Sequence, residues 1–188
     1  MREVSLNELR QIAIDSKYGL WKDANNMGRD VKIYLHWSAG HYSQFFNDYH
    51  INIDYDGSIY VSTDDLSVIK AHTFKRNTGS VGIAMACGYN ANTNDLGPEA
   101  PTQAQIEVMS KVINVLCKSL DLTIDKERVM THAEAANNED GLYLHEPYGP
   151  NSGDPETRWD LSILQNGDEF GIGGDILRGK AIWYSQQN

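Results

Sequence analysis

The stretch SVGIAMACG, residues 80 to 88, constrains the fold more than any other part of the chain, because it is apolar at successive positions with no polar alternation. A strand with one wet face alternates, so a run like this must be covered on both faces, which places it in the middle of a sheet layered with helices. VKIYLHW (31 to 37) reads as a second buried strand. YHINIDYDGSIYVS (49 to 62) alternates around Asp56-Gly57, the pattern of two strands joined by a tight turn. RVMTHAE (128 to 134) reads as one more short strand.

Helix signals complete the layering. SLNE (5 to 8) fits a capping box, and the amphipathic run from Leu6 through Ile14 predicts a short opening helix. Thr102 and Gln105, after Pro101, form a second box. Ile106, Met109, Ile113, Leu116 and Leu120 then recur at helical spacing, so this is the longest helix. GGDILRGKAIWYSQQ (173 to 187) predicts a closing helix with Asp175 near its N-cap. The expected class is α/β, a single domain over 1–188 with a central mixed β-sheet flanked by helices and no internal repeats.

Charge and length narrow the function. A formal charge of −10, with no cluster of Lys or Arg, speaks against a nucleic-acid partner, whose phosphates need cations to neutralise them. No apolar run reaches the roughly 18 to 20 residues of a membrane span, and MREVSLNELR lacks the basic start and apolar core of a secretory signal. The expectation is a chain made in the cytoplasm. Cys87 and Cys117 lie in apolar segments outside any C-x-x-C spacing and read as reduced core residues.

Residues 136 to 172 are rich in Gly, Asn, Asp and Pro, yet carry aromatic side chains, and read as a long ordered binding loop. The histidines point to chemistry. His36 and His132 each stand at the end of a predicted strand, where α/β sheets gather their sites. With a downstream carboxylate they would form a His, His, Asp zinc set with a fourth position open to water. Either histidine alone reads more readily as a packed structural residue than as a metal ligand.

YLHWSAG, YHINIDYDGSIY, AHTFKRNTGSVGIAMACG, PTQAQIEVMSKVI, VMTHAEAA and DPETRWDL occur in the order and approximate spacing of a known family. Over residues 30 to 187 the chain resembles the zinc-dependent N-acetylmuramoyl-L-alanine amidases of the second type. That family includes phage lysozyme-like amidases, cell-wall recycling amidases and the animal peptidoglycan recognition proteins. Residues 1–29 would then be an N-terminal helical extension. The ending GGDILRGKAIWY is most similar to phage and prophage endolysins.

The resemblance implies one Zn2+, peptidoglycan as partner, and action on the bacterial wall after release from the cytoplasm. It places zinc ligands at His36 and His132 and the catalytic tyrosine at Tyr49. The third ligand has two candidates: Asp154, from an Asp-Pro in GDPETRWDL, and Asp160, which has a basic residue two positions ahead of it. Asp160 is favoured, with Arg158 then stabilising the oxyanion, although a surface Arg beside a packed Trp and a capping Asp is a competing reading of RWDL. His50, His72, Asn77 and Trp37 are expected to line the substrate groove, although His72 and Asn77 read equally as part of a loop that only positions the buried strand.

One departure concerns proton transfer. Where the recycling amidases carry a glutamate in the buried strand, this chain has Ala84. Tyr49, or Glu134 two residues beyond His132 on the same strand face, is then expected to handle the proton. The implied reaction is cleavage of the bond between N-acetylmuramic acid and L-alanine. The alternatives are a peptidoglycan-binding domain that has lost catalysis, and a zinc amidase for another acyl-peptide.

Overall fold

Six residues in a row are buried in each of two neighbouring strands, and the rest of the molecule is arranged around them. The computed structural model describes residues 1–92, 95–142 and 160–187. The elements run β1 (Arg2–Val4), α1 (Leu6–Asn26), β2 (Lys32–Trp37), β3 (Ile51–Ile53), β4 (Ile59–Val61), β5 (Ser80–Met85), α2 (Gln103–Leu120), β6 (Val129–Thr131), α3 (His132–Ala136) and α4 (Gly173–Gln186). The sheet order is β1-β4-β3-β5-β2-β6. β5 lies parallel to β2 and β3, β2 lies parallel to β6, and β4 is antiparallel to β1 and β3. This is the expected mixed sheet, with the SVGIAM run inside it.

Alternation along the strands divides the sheet into two unlike faces. Ile33, Leu35 and Trp37 of β2, with Val81, Ile83 and Met85 of β5, join one core with Leu9 and Leu20 of α1, Ile113 and Leu116 of α2, and Leu177 and Ala181 of α4. The opposite face carries Tyr34, His36, Gly82, Ala84 and Met130, by the register that pairs Tyr34 with Gly82 and Met130 and His36 with Ala84. Among the described residues, a small apolar cluster of Tyr34, Met130 and Ala135 forms there. The polar face is the one available for chemistry.

Both expected capping boxes close, Ser5 with Glu8 and Thr102 with Gln105. Cys87 and Cys117 are free, buried thiols. Two expectations need correction, and one strand went unforeseen. The opening helix continues past Ile14 to Asn26, because its buried stripe carries on through Ser16, Leu20 and Ala24, with small side chains at Ser16 and Ala24 in place of large apolar ones. The three-residue edge strand β1 is too short to leave an alternating signal. The strand expected over 128 to 134 stops at Thr131, whose hydroxyl accepts from the Glu134 amide and starts α3.

Candidate functional site

The end of β2 sets the position of everything else. His36 is its penultimate residue and projects on the polar face, beside Ala84 of β5. On the other flank Leu35 pairs with Thr131, so the next residue, His132, emerges next to His36 as the chain turns into α3. Asp160 comes from a buried segment whose Ser162 carbonyl accepts from the amides of Gly171 and Gly173, tying it to the start of α4.

The three side chains converge. His36 Nδ1 lies 3.1 Å from Asp160 Oδ2 and 3.1 Å from His132 Nδ1, and His132 Nδ1 lies 3.6 Å from Asp160 Oδ2. All three residues are buried. Two imidazole nitrogens and a carboxylate oxygen brought this close form a donor set that could hold a metal cation. Tetrahedral ligand bonds of about 2.0 to 2.2 Å would separate the donors by about 3.3 to 3.6 Å, close to the distances found, so the donor set suits zinc. Burial by itself would raise the Asp160 carboxyl, but its close contacts with His132 and His36 outweigh it and hold it well below the usual carboxylate range.

Around the trio, Tyr49 is half-buried with its ring centre 5.0 Å from that of His36. His72 meets His36 edge-on at 5.5 Å. Its ring lies against Gly82, where a Cβ would come within 2.5 Å of it, so the sheet can accept His72 only with glycine at that position. Burial, and then the neighbouring rings of His36, His50 and His132, push the His72 imidazole well below its ordinary value.

Four of the expected roles meet different surroundings. His50 is fully buried with both nitrogens engaged, Nε2 donating to the Val68 carbonyl at 2.7 Å and Nδ1 accepting from the Gly82 amide at 3.0 Å, so it has nothing left for a substrate. Trp37 points to the helix-covered core, one residue out of phase with His36. Asn77 spends its Oδ1 on the amides of His72 and Thr73 and shapes their turn. Glu134 lies on a helix, not a strand face. Its carboxylate takes two bonds of 2.8 Å from Arg178 and faces Gly174, where a Cβ would fall 2.5 Å from it. That commitment to α4 argues against a proton-carrying role. Asp154 and Arg158, and with them residues 143–159 of the expected loop, lie outside the described residues.

Two features carried no sequence signal. Thr73 places its hydroxyl between His36 and His72. Arg76 is fully buried and gives Asp140 a 2.6 Å bond from Nε and a 3.2 Å bond from Nη2, while Tyr34 donates to the same carboxylate at 2.9 Å. The pair clamps the loop bearing His72 to the segment that follows α3.

The sequence model of the N-acetylmuramoyl-L-alanine amidase family matches residues 21–142, well over half of the chain. The chain belongs to that family. Membership places it among proteins that bind or hydrolyse peptidoglycan. The family match reaches His36, Tyr49 and His132 and ends before Asp160. No curated protein sequence matches. Among solved structures, the chain is similar to the amidase LysC from Clostridium intestinale at 18% identity, covering 55% of this chain and 69% of that one, with a TM-score of 0.40. The endolysin amidase LysCS from the same organism gives 17%, 65%, 78% and 0.40. A peptidoglycan recognition protein, PGRP-Hd from Alvinella pompejana, gives 18%, 62%, 86% and 0.39.

Proposed function

We propose that this amidase-family protein is a zinc hydrolase that cleaves the amide bond between N-acetylmuramic acid and L-alanine of peptidoglycan. The observation that carries the reading is the convergence of His36, His132 and Asp160, a complete three-ligand set in a chain of this family. Zinc, when bound, supplies Lewis acidity that polarises a carbonyl and lowers the pKa of water to about 7. The chain's own residues do the rest. Tyr49, beside His36, donates to the carbonyl oxygen as negative charge develops, and Arg158 adds a cation to the same oxygen. Ala84 has no titratable group and Glu134 is held by Arg178, which leaves Tyr49 to pass its phenol proton to the departing amine and to be reprotonated by the proton that the attacking water loses. The setting proposed is an endolysin or autolysin, on the resemblance of its closing segment, with the protein acting on the wall after release.

A non-catalytic peptidoglycan-binding domain is the second reading, since the family contains binding proteins. The retained ligand set favours the enzyme over it, and substrate trials alone separate a third reading, a zinc amidase for another acyl-peptide. The test uses purified walls and counts newly exposed N-terminal L-alanine. The account expects release that a strong chelator abolishes and added zinc restores. Release that ignores the chelator would remove the mechanism, and wall binding with no release by zinc-loaded protein would establish the binding domain.

A further inference from the structure

The loop AHTFKRN contributes a chain of side chains behind the candidate metal centre. His36 Nε2 lies 3.4 Å from Thr73 Oγ1, which lies 2.9 Å from His72 Nδ1; His72 Nε2 lies 3.4 Å from Ser80 Oγ. Ser80 Oγ ends the chain at two backbone carbonyls, 2.7 Å from that of Arg76 and 3.0 Å from that of Asn77. All four side chains are buried.

The direction of the hydrogens follows from the anchored end. A carbonyl only accepts, so the single hydrogen of Ser80 goes to Arg76 or Asn77, and Ser80 can only accept from His72. His72 therefore carries its hydrogen on Nε2 and presents a lone pair at Nδ1. Thr73 must then donate to His72, which leaves its oxygen to accept from His36 Nε2–H. A neutral His36 protonated at Nε2 has its lone pair on Nδ1, the nitrogen that faces Asp160 and His132.

We propose that Thr73 is a positioning residue for His36, its hydroxyl fixing the tautomer and ring orientation that present Nδ1 as a metal ligand. The inference rests on the reading of His36 as a zinc ligand. Partners behind a ligating histidine set ring orientation and basicity, and their loss costs about 10-fold to 100-fold in metal affinity. The loop is built to hold Thr73 still. Asn77 Oδ1 accepts from the Thr73 amide at 2.8 Å, the Thr73 carbonyl accepts from the Arg76 amide at 3.0 Å, and Arg76 is locked by Asp140. On this account His72 and Asn77 support the metal centre from behind.

Competition with a chromophoric chelator measures zinc affinity in the full chain, alongside the unfolding midpoint of the zinc-free protein. Thr73→Val keeps the shape and removes the hydroxyl, and should weaken zinc binding by about 10-fold to 100-fold. Thr73→Ala should weaken it as much, giving a second reading should valine disturb folding. Thr73→Ser should bind within about threefold of the wild type, with all zinc-free midpoints close together. A Thr73→Val protein that binds zinc like the wild type overturns the inference, as does a Thr73→Ser protein as weak as Thr73→Val. Wild-type protein that takes up no zinc would instead remove the reading of His36 as a ligand, and this inference with it.

Discussion

His36 and His50 are both fully buried imidazoles about one strand apart, yet their surroundings assign them opposite tasks. His36 faces another imidazole and a carboxylate. His50 is bracketed by a carbonyl and an amide, and burial lowers its pKa to about 4. The folded value lies below the unfolded one of about 6.5, so the unfolded chain binds the extra proton between them. The stability from keeping His50 neutral is complete above about pH 6.5 and is lost as pH falls through about 4, amounting to roughly 3 kcal/mol. Urea midpoints at pH 7.5, 5 and 4 should fall in the wild type and fall less in His50→Gln; equal declines would refute the assignment. The sequence marked His36 and His132 as strand-end histidines, but a Tyr-His pair opening a strand does not tell which ring is sealed inside. That depends on Gly82 and Val68, which are distant in sequence.

At the scale of elements, α3 shows what periodicity misses. RVMTHAE looks like a strand because its apolar residues cluster, yet THAE repeats the capping signature seen in SLNE and TQAQ. The signal was present in a segment too short to show a helical period. The consequence is a buried ion pair between Glu134 of α3 and Arg178 of α4, both almost fully enclosed. Removing Glu134 leaves the buried Arg178 with Asp175 as its remaining carboxylate, at a cost of about 3 kcal/mol, the low end for breaking a buried pair. Glu134→Ala should lower thermal stability by that much while the folded protein keeps its zinc. Unchanged unfolding with lost turnover would return Glu134 to the role of proton carrier. The long α1 was half legible for a related reason, since Ser16 and Ala24 pack without adding hydrophobicity.

For the whole molecule, the sheet order is what makes a site from residues far apart in sequence. His36 and Asp160 are separated by 124 positions and meet because β6 pairs beside β2 and the chain returns to the sheet before α4. Spacing alone could not reveal that closure; the resemblance to the amidases supplied it for both histidines and left two aspartates competing. Asp160 stands in contact with both rings, and its assignment as the third ligand is the centre of the account. The most direct measurement is zinc bound per chain in the wild type, Asp160→Ala and Asp154→Ala after dialysis against a weak chelator. The account predicts about one zinc in the wild type and in Asp154→Ala, and almost none in Asp160→Ala, because two histidines alone hold the ion weakly. Zinc lost from Asp154→Ala and kept by Asp160→Ala would contradict it.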